Sequence, residues 1–288
     1  MSSPARLAVT GATGSLGGAV ATALADLSPR LVVRSAARVP AALAGLDVAE
    51  ASYDDGAACR AAFDGVDVLL LVSASESADR RAHHRSAIAA AAEAGVRHVV
   101  YTSFSGAAAD ATFTLGRDHA DAEAALRDSG CGHTLLRDSF YAEVIPLFAD
   151  ATGAVRGPAG ADPGGRVALV GRRDCSDVAT RVLRDVAGGD DRHDGATYTL
   201  TGPSAPTLGE AVERAAAVVG RPLHYVEETL EEAYASRAAA YPDAADWQLD
   251  AWVSTYTAIA DGSVAEVTDD VRRVLGREPR TIEQALGS

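Results

Sequence analysis

An α/β fold built on a doubly wound parallel sheet follows from three features of the sequence. A glycine-rich turn beginning at Gly11 separates a short apolar run from an Ala-rich helical segment. Apolar runs then alternate with helical segments as far as Arg137. One of those runs, 66–72, is apolar at every position but Asp67, too continuous for a half-exposed strand and the pattern of a central strand buried on both faces.

The chain reads as a strand at Leu7-Ala8-Val9, then Gly11, Gly14 and Gly17 spaced G-x-x-G-x-x-G, then a helix over 19–27. Glycine suits a turn that needs φ > 0 or a close approach by a pyrophosphate, and the helix N-terminus supplies free N–H groups and a positive dipole end. The spacing departs from the commoner G-x-G-x-x-G, but strand, turn and helix are the context that gives the motif its meaning. Gly11, Thr13, Gly14, Ser15, Leu16 and Gly17 are therefore candidate phosphate-binding residues, against the plainer alternative of an ordinary tight turn.

Residues 30–33 form a second strand, followed by Arg34. An Asp or Glu about twenty residues past the glycines would bind a ribose 2′-OH, whereas an Arg accommodates a 2′-phosphate. Guanidinium–phosphate bonds contribute roughly 1.5–3 kcal/mol each, so Arg34, with Arg38 as a second candidate, points to NADP(H) over NAD. For both, a solvated surface arginine is the alternative. A strand over 46–51 and a helix ending at Phe63 lead into the buried strand. Its end, Ser73, Ala74 and Ser75, lies where ligands of such sheets bind, beyond the carboxyl ends of strands.

A helix over 80–94 carries His83 and His84, which point about 100° apart and so read as structural or surface residues, not as a metal pair. The strand 96–103 ends in Thr102 and Ser103, also candidate cofactor contacts. A helix over 117–128 and a strand over 133–137 complete the alternation. Residues 1–150 are thus expected to form the nucleotide-binding domain. Residues 151–288 are expected to form a smaller, mostly helical lobe, with part of 166–202 returning to the sheet. Within that second part, 166–170 and 198–202 read as strands and 174–186 as a helix. Thr207-Leu208-Gly209-Glu210 and Thr281-Ile282-Glu283-Gln284 read as capping boxes, and Trp247, Trp252 and Tyr256 as a packed helix face.

Composition excludes several classes. The net charge of −14, with no basic stripe, disfavours nucleic acid, and no apolar run approaches the length of a membrane span. MSSPAR meets the first strand almost at once, leaving no room for a signal peptide, so a cytoplasmic protein is expected. Cys59, Cys131 and Cys175 are scattered, with no metal-ligand spacing, and read as buried thiols; no metal is expected. All 26 basic residues are arginine. That removes Schiff-base lysines, P-loop lysines and any Tyr-x-x-x-Lys pair. No pattern sets an oligomeric state.

TGATGSLGG, VVRS, AAAAEAGVRHVVYTSF and RDHADAEAALRDSGCGHTLLRDSFY, in this order and spacing, resemble the NmrA-like, atypical short-chain dehydrogenases, and most closely the bacterial type-2 NADPH:quinone oxidoreductases. The resemblance continues weakly to LGREPRTIEQAL. It implies a Rossmann-type fold, NADPH on the first half and a replaced Tyr-x-x-x-Lys pair, whose positions correspond to Leu115 and His119, with Glu123 a turn further on. Relatives commonly have Arg-Asn-Gly-Trp/Phe-Tyr where this chain has Arg137-Asp138-Ser139-Phe140-Tyr141, which places a carboxylate near the expected substrate.

The expected chemistry is hydride transfer from NADPH to a small-molecule substrate such as a quinone. His119 is the candidate proton donor, because an unperturbed imidazole titrates near neutral pH. Phe104, Asp138, Phe140 and Tyr141 are the candidate substrate residues. For His119 a surface role, and for Phe140 and Tyr141 core packing, are the competing readings. The rival function is a non-catalytic NADP(H) sensor on the same fold.

Overall fold

The first apolar run forms β1 (Leu7–Thr10), and the glycine turn delivers the chain into α1 (Ser15–Ala23). The structure, a computed structural model, describes residues 5–160 and 164–287. The chain continues through β2 (Arg30–Val33), β3 (Val48–Glu50), α2 (Gly56–Phe63), β4 (Val68–Leu71), α3 (Arg80–Glu93), β5 (His98–Phe104), α4 (Thr114–Asp128) and β6 (Gly132–Asp138). After these come β7 (Ala154–Gly157), α5 (Arg172–Ala187), β8 (Thr197–Leu200), α6 (Leu208–Val219) and β9 (His224–Glu227), then α7 (Leu230–Ala240), α8 (Asp246–Ala260), α9 (Asp270–Leu275) and α10 (Ile282–Leu286).

Seven strands make one sheet in the order β3-β2-β1-β4-β5-β6-β8, the doubly wound arrangement read from the sequence. The pairs from β3 through β5 are parallel, with Val9 opposite Leu31 and Leu70. Every residue of β4 and β5 is buried, as a parallel strand covered on both faces requires. The return of the chain to this sheet falls at β8, inside the expected 166–202 window.

Backbone contacts divide the chain into two interleaved units. One holds residues up to Ser103, His119–Arg137 and Cys175–Tyr198; the other holds Phe104–Asp118, Asp138–Asp174 and Thr199 onward. A single boundary at 150 does not describe this division, because the chain passes between the units several times. The core of the first unit is built on Phe63, Leu69, Leu71, Tyr101, Leu126 and Leu135. That of the second gathers Phe104, Ile145, Val155, Leu169, Tyr256 and Ile259.

The second unit departs from the sequence reading in two places. Residues 166–170 form no strand, only isolated bridges from Arg166 to Thr207 and from Val170 to Tyr141. The reason lies in the backbone bonds: Val167 donates to Pro206, Ala168 to Val264 and Val170 to Phe140, so no single neighbour accepts a ladder. The unit also contains a two-stranded parallel sheet of β7 and β9, which the sequence reading missed. The helix expectations fare better: the boxes at Thr207 and Thr281 are formed, and Tyr256 is buried on α8. No described helix is long and apolar enough to cross a membrane.

Candidate functional site

The carboxyl ends of β2, β1, β4 and β5 are neighbours, so the residues that follow them meet along one edge of the first unit. After β1, Gly11 has φ +64°, a conformation in which a side chain is strained. A Cβ on Gly17 would lie 2.5 Å from the Gly11 carbonyl oxygen and 2.7 Å from that of Thr10, so only glycine fits against the turn. Gly14 differs. It is exposed, its absent Cβ faces only the Gly11 oxygen at 3.3 Å, and as N-cap of α1 it offers no side-chain cap. The first N–H groups of α1, at Ser15, Leu16 and Gly17, have no partner within the helix, and this uncapped end fits a pyrophosphate. Thr13 is half-buried beside it.

Arg34 directly follows β2 and is exposed, as is Arg38, the last residue of a short 3-10 turn. The Glu50 carboxylate is nearby, accepting the Ala36 N–H at 2.6 Å. After β4, the Ser73 N–H donates to Thr102 Oγ1 at 2.8 Å, which ties the ends of β4 and β5 together. Ser75 is exposed and Ala74 half-buried. Ser103 is committed elsewhere, since its hydroxyl donates to Glu123 at 2.6 Å. Glu123 also takes Arg137 at 2.7 and 2.8 Å and Arg127 at 2.9 Å. Burial pushes its carboxyl up, but these arginine and hydroxyl donors outweigh burial and hold it below the usual range.

His119 is buried and is not a freely titrating imidazole. It is 6% exposed, with Nε2 3.0 Å from Arg80 Nη2 and Nδ1 3.0 Å from the Tyr101 hydroxyl. Burial first, then the Arg80 charge and the proximity of His84, hold its imidazole well below the ordinary histidine range. It is therefore neutral at pH 7 with both ring nitrogens engaged, which corrects the expectation of a titrating acid.

In the second unit, Phe104, Phe113 and Phe140 form a trio with ring centroids 4.7 to 5.2 Å apart. The Tyr141 hydroxyl donates to Asp138 Oδ2 at 2.6 Å, and the Arg172 guanidinium lies over the Tyr141 ring at 4.9 Å. Between Asp138 and Phe140, the Ser139 hydroxyl is buried with no hydrogen-bond partner among the described residues. The four candidate substrate residues are thus brought into one unit, with Phe113 as an unforeseen member.

Other contributors escaped the sequence reading. Tyr53 places its hydroxyl 2.6 Å from Thr10 Oγ1 and 2.7 Å from the Val72 carbonyl, bracing the turn from below. Arg80 and His84 stand one helical turn apart on α3, a spacing visible in the sequence that the attention to His83 and His84 as neighbours passed over. A hollow of about 960 Å³ opens at the opposite, amino ends of the strands, but its Arg30 and Arg184 are paired with Asp47 and Asp26, and it shares no residue with this site.

Known proteins resemble the chain over most of its length. A family model described as NAD(P)H-binding matches residues 11–185. Quinone oxidoreductase 2 of Escherichia coli (strain K12) is 32% identical, over 97% of each chain. A (4-alkanoyl-5-oxo-2,5-dihydrofuran-3-yl)methyl phosphate reductase of Streptomyces griseus subsp. griseus is 33% identical, over 94% of this chain and 93% of the other. Among solved structures, the NADPH-dependent quinone oxidoreductase of Escherichia coli in complex with NADPH superposes with a TM-score of 0.84 at 30% identity, over 97% of this chain and 98% of that one.

Proposed function

Because the chain belongs to the NAD(P)H-binding, NmrA-like oxidoreductases, we propose that it is an NADPH-dependent reductase that delivers a hydride to a quinone or a similar small conjugated electrophile. The observation that carries the reading is the uncapped amino end of α1 behind the Gly11–Gly17 turn, whose free N–H groups suit a pyrophosphate. Arg34 favours the 2′-phosphorylated nucleotide, since an exposed guanidinium stands where an NAD site would carry an acid.

When bound, the nicotinamide nucleotide supplies the hydride, and the protein supplies binding and orientation. The turn N–H groups, with Thr13 and Ser15, hold the diphosphate. Arg34 and Arg38 hold the 2′-phosphate, and Ser73, Ala74, Ser75 and Thr102 form the wall at the strand ends. The phenylalanine trio offers flat apolar faces to a planar ring, and Asp138, Ser139 and Tyr141 supply polar groups to orient it. Balance requires one hydride and one proton per quinone reduced. The added charge spreads over a conjugated system, so a solvent proton suffices, which suits a site whose buried histidine is neutral and whose chain has no lysine. Both curated relatives described above are named for reducing conjugated carbonyl compounds.

The test pairs binding with turnover. Nucleotide fluorescence should give NADPH tighter than NADH by about tenfold or more, and Arg34→Ala should remove most of that difference. NADPH absorbance should fall steadily with 1,4-benzoquinone. Tight NADPH binding with no consumption against quinones or azo dyes would instead support the sensor reading.

A further inference from the structure

Below the end of β4, a guanidinium, two imidazoles and a phenol hold the backbone of one residue from both sides, through the two peptide units that flank its Cα. The Ala74 N–H donates to His84 Nε2 at 2.9 Å, and the Ala74 carbonyl accepts from Arg80 Nε at 2.9 Å. Arg80 continues to His119 Nε2, and His119 Nδ1 to the Tyr101 hydroxyl, each at 3.0 Å. That hydroxyl lies 3.5 Å from His84 Nδ1, at the outer limit of a hydrogen bond, and so closes the circuit back to Ala74.

Donor and acceptor chemistry sets the protons. A guanidinium has only donors, so His119 Nε2 must be bare and its proton must sit on Nδ1, facing Tyr101. An amide N–H likewise makes His84 Nε2 the acceptor and puts that ring's proton on Nδ1. Both imidazoles are therefore neutral Nδ1–H tautomers.

His84 and Tyr101 are fully buried, and Arg80 and His119 are 5% and 6% exposed. Such a network is costly unless satisfied, and leucine would fill the space without that cost. Its two backbone ends converge on the one residue, Ala74, at the middle of the segment Ser73 to Ser75.

We propose that Arg80, His84, Tyr101 and His119 are positioning residues that fix the Ala74 backbone on both sides of its Cα, so that the segment after β4 presents a preset wall to the bound dinucleotide. His119 acts through Arg80 and Ala74 and does not exchange protons with substrate. The inference rests on reading this edge as the NADPH site.

Tyr101→Phe removes one oxygen and separates the imidazoles. His119→Leu removes both of that ring's bonds, while His119→Gln keeps them, since its amide oxygen can accept from Arg80 and its NH₂ can donate to Tyr101. The first two variants should weaken the NADPH Kd by about threefold to tenfold, the worth of one net hydrogen bond, with the KM for 1,4-benzoquinone within about twofold of the parent. His119→Gln should restore the NADPH Kd. In the nucleotide-free parent, ¹⁵N shifts should report Nδ1–H tautomers for His84 and His119 at neutral pH.

An unchanged Kd in folded Tyr101→Phe would overturn the proposal, and this variant decides the matter if His119→Leu does not fold. So would a His119→Gln enzyme with normal Kd and a kcat reduced about a hundredfold, the signature of a lost proton donor. A parent that fails to bind NADPH would overturn the cofactor reading itself. A parent that binds while all variants bind equally well would overturn only the positioning role.

Discussion

At the scale of single residues, two glycines of one motif do different work. A Cβ on Gly17 collides with backbone, 2.5 Å from the Gly11 oxygen, whereas Gly14 has only the Gly11 oxygen at 3.3 Å and is open to solvent. Gly14→Val should therefore leave circular dichroism and thermal unfolding close to the parent while weakening NADPH binding by about tenfold or more, because its branch occupies the space a phosphate needs. Gly17→Val should instead destabilise the protein by about 1–3 kcal/mol through overpacking. Normal NADPH affinity in Gly14→Val would make the turn structural only. The glycine motif was legible because its meaning is local: strand, turn and helix are contiguous. The surroundings of His119 were not, since Arg80 and His84 come from α3 and Tyr101 from β5. A free imidazole near pH 6.5 and a buried neutral one look identical in sequence.

Whole elements show the same division between local and distant causes. The capping boxes opening α6 and α10 were readable from four residues each. A third at Thr229 and Glu232, opening α7, carried the same signal and was passed over. Thr207→Ala removes an acceptor from the Glu210 N–H and should lower stability by about 1 kcal/mol, seen as a lower urea midpoint at unchanged slope. An unchanged midpoint would show that tertiary packing alone sets the start of α6. By contrast, β7 and β9 are four residues each, and β9 is partly exposed along its length, so no alternation marks it. β7 ends at Gly157, whose missing Cβ leaves room for the Tyr256 ring, a requirement set about a hundred residues away. The apparent strand at 166–170 failed for the converse reason: its apolar pattern is genuine, but its backbone donors are shared among three segments.

For the molecule as a whole, charge and burial together set how it meets acid. The net charge is −14, and several ion pairs among the described residues, such as Arg156–Asp150 and Arg272–Asp269, are exposed on both sides, so each contributes little. Glu283, held down at about 2 first by its hydrogen bonds from Arg214, stays ionised well below pH 4, and Asp67 is held low by the Arg6 N–H and Arg97. The acid-sensitive part belongs instead to buried bases, among them His119 and His98. His98 is 7% exposed in β5, its Nε2 2.9 Å from Thr134 Oγ1, and burial outweighs the attraction of Asp194 to push its imidazole down to about 4. In the unfolded chain the same ring binds a proton near 6.5. Above that value neither state is protonated and stability is full. As pH falls from 6.5 toward 4 only the unfolded state gains the proton, so stability drains away across this window and the loss levels off below the folded value. The drop amounts to about 2–3 kcal/mol by pH 4.5 for His98 alone. In His98→Gln, whose amide can still donate to Thr134, that part of the slope should vanish. Urea unfolding of both proteins at pH 7 and pH 4.5 measures it, and equal losses in parent and variant would show that His98 titrates alike in the folded and unfolded chains.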